Sequence, residues 1–138
     1  MLPHGNKFNS VYFTESILKK IVKTNPQQKE GRPKRKVVVH MDNATPHRSN
    51  ETKKFATKNG LFLCPHPAFS PDLAPSDFYL FGEVKNELKG SGFVSEDELF
   101  EAIKSILEKI TRDELESVFI EWERRLQACI DNGGDYIE

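Results

Sequence analysis

"VVVHMDNATPH", Val37 to His47, is the point where an apolar, β-branched run meets a cluster of turn residues. The run "KVVVHM" reads as a short strand buried on both faces. Residues 49–59, "SNETKKFATKN", continue as a modest helix, with Gly60 placed just past its end. "LFLCPHP" then supplies a second short strand. Strand, helix and strand in this order make a βαβ unit, so the two strands should pair in parallel with a right-handed crossover. Parallel sheets gather their working side chains at the carboxyl ends of the strands, where loops leave the sheet. Asp42 stands at such an end, a carboxylate at the exposed tip of an apolar strand.

Upstream, residues 9–24 carry apolar side chains at 11, 13, 17, 18, 21 and 22, the spacing of a helix. "NPQQKEGRPKRK" follows as a polar loop whose Lys34, Arg35 and Lys36 belong to a basic cluster that reads first as a solvated loop, with phosphate contact or nuclear import as the alternative. Downstream, "PAFSPDLAPSD" is a proline-rich approach to a helix that opens at Pro75 or Ser76 and runs to about Lys89. Gly90 and Gly92 interrupt the chain, and Ser95 with Glu98 forms the sequence signature of a capping box. The stripe Leu99, Ile103, Ile106, Leu107 and Ile110 then marks one helix. Thr111 with Glu114 repeats the capping signature, and Leu115, Val118, Phe119, Trp122, Leu126, Cys129 and Ile130 mark a last helix. Both stripes read first as core packing, with a groove for a partner as the alternative.

The 138 residues suffice for one domain with a real core, and 30% charged residues with 37% hydrophobic ones exclude wholesale disorder. No run is long and apolar enough to cross a bilayer, and the first ten residues lack a signal-peptide pattern, so an intracellular protein without a membrane partner is expected. Cys64 and Cys129 fit no zinc spacing and read as reduced core residues. The formal net charge of −1 conceals a polarity: residues 1–71 balance to +9 and residues 72–138 to −10. A basic first half invites a polyanion, or else simply faces the acidic helices within one fold.

A second carboxylate, Asp77, lies at a turn entering a helix, where backbone N–H groups and the helix dipole keep it ionised. Hard oxygens of this kind suit Mg²⁺ or Mn²⁺, and a pair of such ions can serve both sides of a phosphoryl displacement. Spacing alone also allows a turn-forming Asp42 and a merely dipole-matched Asp77. An iron triad of His40, Asp42 and His47 is disfavoured, because that motif sits in an all-β barrel with its second histidine far along the chain. Asp72, following Pro71, reads as a turn former bonding nearby backbone N–H groups.

"HMDNATPH", "PHPAFSPDLAPSDFYLFGEVKNELKG" and "WERRLQACIDNGGDYIE", in this order, resemble the catalytic domain of mariner-type transposases of the Tc1/mariner superfamily. The resemblance runs from about Lys36 to the C-terminus, with a looser match over residues 3–24. Asp42 and Asp77 are separated by 34 residues, the spacing that distinguishes the mariner group. The resemblance implies a partial RNase H-like α/β fold with short parallel strands and flanking helices, followed by two C-terminal amphipathic helices over residues 95–132. It implies that Asp42 and Asp77 are the second and third acids of a Mg²⁺ or Mn²⁺ site, and that the whole enzyme cuts and joins DNA at transposon ends and TA targets in the nucleus. His40, Asn43, His47 and His66 would shape that site, Trp122 would anchor the core, and Lys34, Arg35, Lys36 and Arg48 would contact DNA. The family works as dimers, so a homodimer is a further expectation.

The chain departs from the family at the first acid of the triad. Before Asp42 the sequence offers only Glu15, inside the first helix, and Glu30, in the basic loop. The expectation is therefore the C-terminal portion of a transposase catalytic domain over residues 1–138, without its first strands and first acid, and inactive alone. The alternative is a non-catalytic relic of a mobile element that binds DNA or protein at most.

Overall fold

The computed structural model describes residues 7–24 and 37–137. The basic loop, with Lys34, Arg35 and Lys36, lies outside these residues, as does Glu30. The chain divides into two compact units between Ala68 and Phe69.

The first unit opens with helix α1, residues 10–24. Asn9 caps it, its Oδ1 accepting the Tyr12 N–H at 2.9 Å. The middle of α1, Phe13–Leu18, is wound as a π-helix. Within it the Thr14 hydroxyl donates back to the carbonyls of Ser10 and Val11, a competition that loosens the regular ladder. Strands β1 (Val37–His40) and β2 (Leu61–Cys64) pair in parallel, Val37 opposite Leu61 and His40 opposite Cys64. Between them lie a short helix α2 (Thr45–Arg48) and helix α3 (Asn50–Lys58). Ser49 caps α3 by accepting the Thr52 N–H, and Thr52 in turn donates to the Pro46 carbonyl at 2.6 Å, tying the two helices together. The reversal into β2 needs a left-handed residue, and Gly60 supplies it at φ +69°.

The predicted βαβ unit is thus present, in parallel pairing. Phe13, Leu18, Ala56 and Leu61 form its buried centre, with Val37, Val39, Met41 and Leu63 packed against it. Burial of β1 on both faces does not hold. Val38 is 56% exposed and its register partner Phe62 49% exposed, because no described element of this unit covers the second face of a two-stranded sheet.

The second unit begins with a tight turn, Pro71–Leu73, and helix α4, residues 76–88, whose first turn Ser76–Leu80 is again π-helical. Helices α5 (Glu96–Lys109) and α6 (Arg112–Asp131) follow. Thr111 and Glu114 make the reciprocal capping box that the sequence announces. Ser95 accepts the Glu98 N–H as expected, but the Glu98 carboxylate accepts from Val94 N–H, one residue earlier than the box requires. The turn at 71–74 is the buried heart of this unit, with Asp72, Leu73, Ala74 and Ile137 all under 9% exposed. Trp122 of α6 donates its indole N–H to the Leu73 carbonyl at 2.8 Å, the anchoring role expected of it. The two apolar stripes are less covered than core packing implies: neither α5 nor α6 contains a buried residue, and Phe119 and Ile130 are 53% and 72% exposed. Cys64 and Cys129 are free thiols and only half-buried. No helix among the described residues is long and apolar enough to cross a membrane.

Candidate active site

Asp42 leaves the carboxyl end of β1, two residues after the strand stops. The chain turns there because the carboxylate binds its own backbone: Oδ1 accepts the Ala44 N–H at 3.0 Å. The same oxygen receives His47 Nδ1 at 2.6 Å. An ionised carboxylate has no proton to give, so Nδ1 carries the hydrogen in this pair. The Ala44 N–H holds Asp42 below the ordinary carboxylate value; partial burial opposes this, and His47 reinforces it. The Asp42 side chain is 67% exposed while that of His47 is 18% exposed, so a half-buried imidazole presents an open carboxylate to solvent.

His47 is itself fixed by packing. Its ring lies 4.5 Å from that of Phe13 and edge-on to Phe8 at 5.9 Å, centroid to centroid. The histidines of the two strand ends meet directly: His40 Nε2 and His66 Nδ1 are 3.0 Å apart, so one of the two nitrogens carries the shared proton. Asn43 donates its amide to the His66 carbonyl at 2.8 Å and closes the loop after β1 onto the loop after β2. Met41, Asp42, Asn43, His47, Arg48, Lys53, Leu63, Cys64, Pro65 and His66 line a cavity of about 170 Å³. The structure therefore brings Asp42, Asn43, His47, His66 and Arg48 together, with His40 behind them. Lys53 also lines this cavity, and no sequence signal distinguished it from its neighbour Lys54; only the helical phase of α3 does.

Asp77 lies in the other unit, exposed, in the first turn of α4. Its own N–H donates to the Ala74 carbonyl at 2.8 Å, which fixes the backbone at the helix start. The residue that sequence reading undervalued is Asp72. It sits in a turn as expected, but its carboxylate is buried and binds far along the chain, Oδ2 accepting the Ile137 N–H at 2.9 Å. Arg125 donates to the Asp72 carbonyl and lies over the Phe78 ring at 4.7 Å. A contact spanning 65 residues leaves no local trace in sequence.

As a cation site, the Asp42 cavity offers the right chemistry and an incomplete set. An ionised, solvent-facing oxygen donor suits Mg²⁺ or Mn²⁺. Among the described residues, however, no group of three or more His, Cys, Asp or Glu side chains is placed to hold a metal.

A parallel βαβ unit with an acid at its strand end, followed by helices, defines this chain as a part of an RNase H-like α/β fold. The crystal structure of the catalytic domain of Mos1 mariner transposase superposes with a TM-score of 0.84 at 22% identity, over 97% of this chain and 66% of that one. The Mos1 paired end complex with Mn superposes with a TM-score of 0.81 at 23% identity, over 97% of this chain and 39% of that one. By sequence, the chain is 30% identical over 102 residues to the human histone-lysine N-methyltransferase SETMAR, covering 74% of this chain and 15% of that protein. It is 25% identical over 146 aligned positions to the Mariner Mos1 transposase of Drosophila mauritiana, covering 100% of this chain and 40% of that protein. No family model matches. The chain is thus similar to mariner-type transposases, and it spans well under half the length of these sequence relatives.

Proposed function

We propose that this chain is part of a transposase catalytic domain whose complete form cleaves DNA at transposon ends and joins them to a TA target. Asp42 and Asp77 are the acids that would hold Mg²⁺ or Mn²⁺, and the metal, when bound, would polarise phosphoryl oxygens and activate the attacking hydroxyl. The observation that carries the reading is the Asp42 loop: an ionised carboxylate at the carboxyl end of a parallel strand, held by Ala44 N–H and His47, beside a cavity with cationic walls. The 34-residue interval to Asp77 and the two Mos1 structures, one of them with Mn, support the same assignment. His40, Asn43, His47 and His66 keep the loop in place, and Arg48, with Lys34, Arg35 and Lys36, meets the DNA backbone. Nuclear action and a homodimer follow from the same reading.

On this reading the chain alone is inactive. Of the acids before Asp42, Glu15 sits on α1 in an ion pair with Lys19, and two carboxylates place a cation less firmly than three. Titration of the full chain with Mn²⁺ tests the metal assignment: Asp42→Asn and Asp77→Asn should each weaken binding at least several-fold. Equal affinity in wild type and both variants would remove the metal site. Incubation with Mg²⁺ and a transposon-end duplex should give no nicking, and nicking abolished by Asp77→Ala would refute the inactivity.

A further inference from the structure

Helix α3 carries three lysines, Lys53, Lys54 and Lys58, all exposed. Thr52 and Ala56 are buried and Phe55 packs against the core, which fixes the rotation of the helix. That rotation sends Lys53 alone of the three to the wall of the Asp42 cavity. Arg48, from the preceding short helix, lines the same wall. Neither side chain is in an ion pair among the described residues, and the one acid of α3, Glu51, is engaged by the Ser10 hydroxyl at 2.7 Å. Asp42, the single carboxylate lining the cavity, takes the Ala44 N–H and His47 on one oxygen, Oδ1. The pocket thus presents two cations that make no ion pair among the described residues, beside one acid bonded through a single oxygen.

We infer that Lys53, with Arg48, binds a phosphodiester group of DNA in this cavity, next to Asp42. The inference rests on the DNA-cutting reading above and adds to it a residue and a contact. A cavity of about 170 Å³ has room for a phosphate group but not for a stacked base pair, so the contact is to backbone and carries no sequence preference. A lysine is suited to the task, because its ammonium acts as a point charge on a flexible stem and follows a moving phosphate.

The test is fluorescence anisotropy of a labelled DNA duplex with the full chain in EDTA, from about 50 to 200 mM KCl. Each phosphate neutralised steepens the plot of log K against log salt by roughly 0.9. Lys53→Ala should flatten the slope by about that amount and weaken binding equally for unrelated duplex sequences. Lys54→Ala removes the same charge one residue away and should leave the slope unchanged, while Lys53→Arg should retain it. Circular dichroism on each variant confirms the fold. If Lys53→Ala and Lys54→Ala behave alike, attraction is diffuse and the inference fails while the transposase reading stands. If Lys53→Ala abolishes protection by inorganic phosphate but not duplex binding, the cavity holds a free anion and the inference again fails. If wild type binds no duplex at all, both the inference and the DNA-binding reading fall.

Discussion

At the scale of single residues, the chain shows how one acid is kept open to solvent and another buried. Asp42 lies open at a strand end, while Asp72 is buried with Oδ1 unpartnered among the described residues and Oδ2 on the Ile137 N–H. Asp72→Ala deletes the acceptor and leaves that buried N–H without a partner, a loss of about 1–3 kcal/mol. Asp72→Asn keeps an acceptor oxygen for the Ile137 N–H, so its stability should lie nearer wild type. Urea midpoints of the two variants measure this, and an Asp72→Ala chain as stable as wild type would show that the tail is not fastened there. Little of this was legible in advance. The Asp42 turn follows from Asp-Asn-Ala after a β-branched run, and every group in it lies within a few residues. The His40–His66 pair and the Asp72–Ile137 bond join residues 26 and 65 apart, and depend on where the sheet and the last helix finish. Lys53 and Lys54 are indistinguishable as letters and differ only in the direction the helix points them.

At the scale of elements, the local rules carried furthest where hydrogen bonds close within one turn. Helix α6 begins at Thr111, whose hydroxyl accepts the Glu114 N–H while the Glu114 carboxylate accepts the Thr111 N–H at 2.7 Å. Thr111→Ala should cost about 1 kcal/mol through loss of the cap, seen as a lower thermal midpoint. Farther along α6, the Glu121 carboxylate accepts from Arg124 at 2.7 Å and from Arg125 at 2.9 Å. The Arg124 hydrogen bond, ahead of the Arg124 and Arg125 charges, brings Glu121 from its ordinary 4.5 down to about 2. A depressed folded-state value stabilises the folded chain above pH 4.5, and that contribution fades as pH falls from 4.5 through about 2. Glu121→Gln should flatten the stability–pH profile across this window, and only weakly, since the pair is surface-exposed and screened by salt. A profile unchanged by the substitution would mean the pair is not formed in solution. The strands were legible as strands, but their coverage was not. A run of valines announces burial on both faces, whereas Val38 and Phe62 have one face open because the described part of this unit supplies only two strands.

At the scale of the whole molecule, the uneven covering of apolar surface makes the sharpest expectation. The second unit buries only Leu73, Ala74 and Ile137 among its described apolar residues, while Phe119, Ile120 and Ile130 of α6 remain 53%, 69% and 72% exposed. Exposed apolar side chains in such numbers mark surfaces that associate. With a formal net charge of only −1, little general repulsion keeps copies apart. The isolated chain should therefore associate with rising concentration, as a growing sedimentation coefficient in analytical ultracentrifugation. Ile120→Lys combined with Ile130→Lys should return it toward a monomer. Both positions are largely exposed, so each change should alter stability by less than about 0.5 kcal/mol and leave the circular dichroism spectrum intact. Leu73→Ala is the contrasting case: the side chain is 3% exposed at the turn gripped by Trp122, and its truncation should cost about 2–5 kcal/mol without relieving association. A chain that stays monomeric at every concentration would show that these helix faces are covered in solution, as the sequence stripes taken alone imply.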